Sequence, residues 1–212
     1  MPILRVRRAR PSNVGAAQVN LDPDPIKQFG LWYQAALDAG AQQPDAMALA
    51  TSTRAGRPSN RLVLLKGWSE RGFAFYTNLG SRKGQELAAN PRAALAIYWR
   101  EVGRQVRAAG RVSRLSRREA AAYWETRPVE SQAAAWVSPQ SRVIESREWL
   151  ETMYSETLER LAGGQVPLPP FWGGFRVRPD WIEFWEHQPN RLHDRLRYTR
   201  RRGGWTAEVL GP

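Results

Sequence analysis

The 212-residue chain contains no cysteine and only two histidines, His187 and His193. That excludes disulfides and thiolate chemistry and leaves too few soft ligands for a zinc site. The absence of cysteine fits a reducing compartment, and a cytoplasmic location is the expectation. No apolar run approaches the roughly 18 residues that would cross a membrane. The basic start, Met1 to Arg10, lacks the apolar core of a signal peptide. Lysine is scarce too. Only Lys27, Lys66 and Lys83 are present, and arginine supplies the rest of the 32 basic residues. No G-x-G-x-x-G follows a strand pattern, so a dinucleotide fold of that kind is unsupported. No Ser-His-Asp order and no pair of carboxylates stands out either.

What is there is charge and aromatic mass. The formal net charge is +12, with ten tryptophans and 42% hydrophobic residues. Such a balance fits either a nucleic-acid binder or a protein that handles anionic small molecules. The arginines are spread along the chain rather than gathered in one arm, which favours the second and argues against nucleic acid. The length suits one large domain or two small ones. Residues 1–22 show little periodicity and read as a flexible arm, leaving 23–212 as one domain.

The stretch RLVLLKGWSERGFAFYTNLGSRKGQEL, Arg61 to Leu87, organises the rest. Leu62 to Leu65 and Phe73 to Thr77 read as two strands of a hairpin, turned at Ser69 to Gly72. Ser81 then caps a helix that opens with Arg82 and Lys83 and stops near Pro91. Free N–H groups, a hydroxyl and two cations at a helix start suit a phosphate. The same residues also fit a solvated basic first turn.

Upstream, Asp24-Pro25 opens a helix carrying Ile26, Phe29, Trp32 and Ala36 at helical spacing, closed by Gly40. Ala46 to Thr53, Ala93 to Trp99 and Arg104 to Leu115 read as strands. Ser116-Arg117-Arg118-Glu119 is a capping box, so a helix begins there. Further helices are expected at Ser131 to Ser138 and Arg147 to Leu161, the latter stopped by Gly163-Gly164. Val166 to Pro170, VPLPP, is a rigid connector. Strands return at Trp172 to Arg178, Trp181 to Glu186, Arg191 to Thr199 and Trp205 to Leu210. The pattern predicts a mainly β, α+β fold: an antiparallel, Greek-key-like sheet closed into a barrel with helices outside.

Two further sets hold candidate chemistry. If Arg191 to Arg195 is a strand, then Arg191, His193 and Arg195 share one face, costly to bury without an anion. Tyr123, Arg127 and Ser131 are phosphate-compatible donors at a helix end and the loop beyond it. Trp172 and Trp185 read as core residues. A site of phosphate and π-system binders suits a cofactor that brings its own redox chemistry.

The segments RLVLLKG, FYTNLGSRKGQELAANP, GRQVRAAGRV, YWETRPVESQAAAWVSPQS, VPLPPFWGGFRV and EFWEHQPNRLHDRLRY together resemble the pyridoxine (pyridoxamine) 5′-phosphate oxidase family. The similarity runs in order from about Asp24 to Pro212. It implies an FMN-binding split β-barrel that works as a homodimer, with FMN at the interface. It also implies oxidation of pyridoxine or pyridoxamine 5′-phosphate to pyridoxal 5′-phosphate by O2, releasing H2O2, and NH3 from the amine. By resemblance the FMN contacts are Arg61, Leu62, Val63, Leu64, Leu65, Lys66, Tyr76, Thr77, Arg82, Lys83, Gln105, Gln140, Ser141, Trp185 and Arg195. The substrate contacts are Lys66, Tyr123, Arg127, Ser131, Arg191, Leu192 and His193, with Arg191 and His193 in the catalytic roles. The chain departs from the family pattern in two places. Met1 to Asn20 shows no match to the Arg-Tyr lid segment of many members. Glu186 to Asn190 replaces a stretch that often contains glycine. An FMN oxidase of the phenazine pathway is a competing reading, as is a flavin- or pyridoxal-phosphate-binding protein without turnover.

Overall fold

A computed structural model describes residues 21–161 and 166–212. The arm expected over 1–22 and the Gly163-Gly164 stop therefore fall outside the described residues, apart from Leu21 and Asp22. The chain runs α1 (Pro25–Asp38), β1 (Ala46–Ser52), β2 (Pro58–Leu64), β3 (Gly67–Ser69), β4 (Gly72–Asn78), α2 (Arg82–Ala89), β5 (Arg92–Trp99), β6 (Arg104–Arg114), α3 (Arg117–Glu125), α4 (Val129–Val137), α5 (Arg147–Leu161), β7 (Trp172–Glu186), β8 (Asp194–Arg201) and β9 (Gly204–Val209).

Local chemistry sets the helix starts. Asp24 accepts from Ile26 N at 2.9 Å, and Pro25 sits where its missing N–H costs nothing. Ser81 accepts from Gly84 N at 3.4 Å to open α2. Ser116 and Glu119 form the reciprocal capping box of α3. Gly84 is required by contact rather than by conformation, because a Cβ there would collide with the carbonyl of Leu79.

Every strand pair is antiparallel, in the order β2-β1-β5-β6-β7-β4-β3, with β8 and β9 added beyond β7. The sheet curls into a half-open barrel. Two expectations change. The run Leu62 to Leu65 does not pair with Phe73 to Thr77. Its strand, β2, pairs with β1, and only the short β3 forms the hairpin with β4. The two strands expected between Trp172 and Glu186 are one, β7, because it pairs with β6 from Phe175 to Glu186, across the expected gap. Asp180 is the extra residue where the β6–β7 register shifts, a bulge beside Pro179, which has no N–H to give. Gly110 faces that bulge so closely that a Cβ would strike Arg178 O.

The inner face of the sheet and α1 make the main core. Phe29, Trp32, Met47, Leu49, Phe73, Phe75, Val106 and Phe184 are all buried there. Each such side chain contributes roughly 1.5–3 kcal/mol of burial. A second cluster joins Ala120 and Trp124 of α3 to Val166 and Trp172. Trp124 Nε1 and Trp136 Nε1 donate to the carbonyls of Val166 and Pro167, at 2.8 and 2.7 Å. Arg117 donates to those of Leu168, Pro169 and Trp172. The proline-rich connector is thus held through its carbonyls. Among the described residues, no helix is long and apolar enough to cross a membrane.

Candidate active site

The start of α2 is a cluster built around a buried cation. Lys83 is only 8% exposed, and its Nζ donates to Gln140 Oε1 at 2.8 Å and Thr77 Oγ1 at 3.2 Å, with Ser81 Oγ at 3.5 Å. These oxygens are neutral. No carboxylate among the described residues pairs with Lys83. Burial, and then the charge of Arg61, push the ammonium down to about 8 from 10.5. A buried cation held only by neutral acceptors is suited to an anion. Ser141 follows Gln140 with φ +70°, in a tight turn after α4.

Arg82 and Arg61 share a carboxylate. Glu86 is buried. It accepts from Arg82 Nε at 2.9 Å, Ser59 Oγ at 2.6 Å and Thr51, and pairs with Arg61 at 3.3 Å. Burial alone would raise the Glu86 carboxyl, but these donors together hold it at about 2. Arg61 also donates to Leu49 O, Thr51 and Ser59. Four N–H positions of its guanidinium are thus engaged within the chain.

A cavity of about 320 Å3 opens beside Lys83, lined among others by Tyr76, Thr77, Arg127, Ser131, Gln140 and Trp172. One wall is a stack of parallel rings. Tyr76 lies 4.1 Å from Tyr123 and 5.4 Å from Trp172, with interplanar angles of 14° and 4°. Arg127 lies over Trp172 at 5.1 Å and Trp124 at 5.4 Å, and donates to Ser131 O at 2.7 Å. Its Nε is buried without a partner. The structure therefore brings Tyr76, Thr77, Arg82, Lys83, Gln140, Tyr123, Arg127 and Ser131 into one region.

Other candidates stand elsewhere. Lys66 pairs with Asp45 at 2.7 Å. Leu65 is buried just beyond β2, Val63 is half-buried, and Leu62 and Leu64 face outward at 72% and 44% exposure. Gln105 of β6 lies opposite Trp185 of β7, which lies opposite Arg195 of β8. Arg195 is bound at Nε and Nη2 to buried Glu183, at 3.0 and 2.9 Å, and donates to Gly211 O at 2.7 Å. His193 packs on Trp185 with ring centroids 4.5 Å apart.

One strand expectation fails here. Arg191 ends a 3-10 turn, Pro189–Arg191, and β8 starts only at Asp194. Asn190 and Arg191 have φ of +57° and +62°. Arg191, His193 and Arg195 therefore do not alternate along one strand face. Pro189 and the two left-handed residues break the extended backbone that alternation needs. Leu192 is exposed in the same loop.

Within one chain these groups remain apart. Thr77 pairs with Gly173 at the start of β7, while Arg195 pairs with Trp185, twelve residues along the same strand. At about 3.3 Å per residue that is up to about 40 Å of strand. Glu86, Glu183 and Asp45 were not singled out from the sequence. Apart from Arg82, one helical turn before Glu86, their partners lie 12 to 35 residues away, beyond any local spacing.

Residues 33–160 match the family described as pyridoxamine 5′-phosphate oxidase, and residues 172–212 match the pyridoxine 5′-phosphate oxidase C-terminal dimerisation region. The chain belongs to the pyridoxamine 5′-phosphate oxidase family. A pyridoxine/pyridoxamine 5′-phosphate oxidase of Rubrobacter xylanophilus is 55% identical over 95% of this chain and 93% of its own. One from Salinispora arenicola is 48% identical over 100% and 97%. Among solved structures, PhzG from Burkholderia lata 383, in complex with tetrahydrophenazine-1-carboxylic acid, superposes with a TM-score of 0.87 at 35% identity, covering 94% of this chain and 98% of that one. An FMN-binding protein from Nostoc punctiforme shares the fold, at a TM-score of 0.73 and 19% identity. These neighbours bear out the split-barrel expectation. Membership of this family points to an oxidoreductase, and the dimerisation region points to a homodimer.

Part of the outer face of the sheet is lined by small and apolar residues. β2 and β5 flank β1, and Leu62, Leu64, Ala48, Ala96, Ala94 and Tyr98 occupy one outward face of these strands. Tyr98 is 57% exposed.

Proposed function

We infer that this protein is an FMN-dependent pyridoxine/pyridoxamine 5′-phosphate oxidase. It converts either substrate to pyridoxal 5′-phosphate, with O2 as acceptor and H2O2 released, and with NH3 released from the amine. The observation that carries this reading is the pairing of two cationic sites in one region. Lys83, at a helix start, has no anionic partner among the described residues. Arg127, beside it, has an unpartnered Nε at a cavity walled by flat rings. Two phosphate esters, one from each ligand, match two such sites.

FMN fits the residues present. Its phosphate is assigned to Arg82, Lys83 and the Ser81 end of α2, where N–H groups and the helix dipole also favour an anion. Gln105, Gln140, Ser141, Trp185 and Arg195 are assigned to the rest of the cofactor, with Arg61 to Lys66 at the end of β2 and just beyond it. When bound, the flavin supplies the two-electron oxidation and passes the electrons to oxygen.

The chain's own work is positioning and charge. Arg127, Ser131, Tyr123 and Lys66 are assigned to the substrate phosphate. Arg127 offers a planar fork already held flat by Trp124 and Trp172. Arg191 and His193, with Leu192, are assigned to the pyridine ring, orienting its reacting carbon and stabilising charge there. Because the Lys83 and Arg195 ends lie far apart along β7 in one chain, each complete site draws one end from each of two protomers. The outward face of β2, β1 and β5 supports such pairing.

The likeness to PhzG favours a second reading, a phenazine-type oxidase. The higher identity to the Rubrobacter relative and the Arg127–Ser131 pocket weigh against it. The deciding experiment is the absorption spectrum of the purified protein. A flavin band should bleach anaerobically with pyridoxamine 5′-phosphate and return in air with peroxide. Bleaching only by a dihydrophenazine would select the second reading. A stable flavin band with neither would mean a binding protein without turnover.

A further inference from the structure

The loop from His187 to His193 holds one imidazole in a defined state. His187 N donates to Gly103 O at 2.9 Å, fixing where the loop leaves β7. Leu192 N donates to Pro189 O at 3.2 Å and closes the turn. Gln188 Nε2 donates to Asp194 Oδ2 at 2.7 Å, tying the start of the loop to its end. Asn190 and Arg191 both adopt positive φ, a conformation that side-chain-bearing residues rarely take. Contacts on both sides maintain that shape. Inside it, the backbone N–H of Gln188 donates to His193 Nδ1 at 3.2 Å. The His193 ring packs against Trp185 at 4.5 Å and faces His187 at 5.2 Å.

An N–H donor can meet only an unprotonated ring nitrogen. A neutral imidazole carries one proton, so in His193 that proton sits on Nε2. The lone pair of Nδ1 is occupied by Gln188, and Nε2 has none to offer. We propose that His193 acts on the pyridine ligand as a hydrogen-bond donor through Nε2–H, with the Gln188 amide setting its tautomer, and not as a base that takes a proton. The ligand atom it serves is an oxygen or nitrogen bearing a lone pair or negative charge, next to the ring bound by Arg191. This rests on the oxidase reading above. Gln188 is a positioning residue in it, acting through its main chain.

With only two histidines, the tautomer is directly measurable. In His187→Asn protein the single imidazole is His193, and its nitrogen chemical shifts, recorded well above the ordinary imidazole range, report which nitrogen carries the proton. The expected result is protonated Nε2 and unprotonated Nδ1. A proton on Nδ1, or rapid averaging of both forms, would overturn the proposal. The functional arm compares two amides. Glutamine places an N–H at about the reach of Nε2, and asparagine at about that of Nδ1. His193→Gln is expected to keep at least tenfold more kcat/KM for pyridoxamine 5′-phosphate than His193→Asn, at equal flavin content. Equal losses, or the reverse order, would reject the donor role. Wild-type protein that fails to oxidise pyridoxamine 5′-phosphate would remove the oxidase reading and with it the donor's ligand, while the shift measurement would still report the tautomer.

Discussion

Lys83 Nζ lies 2.8 Å from Gln140 Oε1, although 57 residues separate them. Gln140 Oε1 also takes the hydroxyl of Thr77 at 2.9 Å. A single amide oxygen thereby joins the start of α2, the end of β4 and the turn after α4, and it leaves the lysine's charge uncancelled.

That uncancelled charge predicts a pH dependence. Lys83 titrates at about 8 in the folded protein against 10.5 ordinarily, chiefly through burial. Between these values the unfolded chain holds a proton that the folded chain has lost, so this group makes the ligand-free protein more stable as pH rises through that window. A phosphate dianion favours the charged form. Binding therefore takes up a proton above about pH 8, and FMN affinity falls as pH rises, by up to about tenfold per unit. Fluorescence titration should show this in wild type. In Lys83→Met the profile should be flatter and the affinity about 10–100-fold weaker.

Arg127 should act on the substrate rather than on the flavin. Its guanidinium rests on Trp124 and Trp172 at the cavity wall. Loss of a bidentate phosphate contact costs about 1.5–3 kcal/mol. Arg127→Ala should raise KM for pyridoxamine 5′-phosphate by about 10–100-fold and leave the FMN dissociation constant within about twofold. Steady-state kinetics at saturating FMN, with a parallel flavin titration, separate the two.

Glu86 should set the acid limit of the fold. Burial raises its carboxyl, and donors from Ser59, Thr51, Arg82 and Arg61 outweigh that and hold it at about 2, below the ordinary 4.5. A depressed carboxyl contributes stability that is present above 4.5 and is lost as pH falls towards 2. Removing one member of a buried ionic cluster costs about 3–5 kcal/mol. Glu86→Leu should lower Tm by about 10 °C near neutrality. The gap to wild type should close as pH approaches 2. Thermal melts followed by circular dichroism across that range test both statements.

Leu62 tests the pairing of protomers. It is 72% exposed on edge strand β2, on the face shared with Ala48 and Ala96. A carboxylate there would be buried without a partner in a dimer. Leu62→Asp should weaken the dimer at least tenfold by sedimentation velocity. It should lower the flavin content in parallel, while the melting of the isolated protomer stays close to wild type.

Features written in a few consecutive residues were legible. Asp24, Ser81 and the Ser116–Glu119 pair mark three helix starts, and each works within one turn of its own helix. The β-rich runs appear close to where the strands lie. Pairing was less legible. Leu62 to Leu65 looks as ready to join its neighbour across Ser69–Gly72 as to join β1, because a turn pattern does not state which strand gains more contact. Alternation misled at Arg191 to Arg195, where Pro189 and two left-handed residues override a period-two pattern. Of the carboxylates at Glu86 and Glu183, only the Arg82–Glu86 pair, one turn apart on α2, lies at local spacing; the other arginines they hold, Arg61, Arg107 and Arg195, come from strands distant in sequence.

The chain alone therefore determined its helix caps, its antiparallel strand content, its family and its stock of cations. These depend on backbone preferences and on side chains a few residues apart. Tertiary structure decided which cations are neutralised and which stay open to an anion. It also set the distance between the two ends of β7 and the tautomer of His193. Those follow from burial and from contacts across tens of residues, where low dielectric makes one misplaced or missing partner outweigh any local propensity.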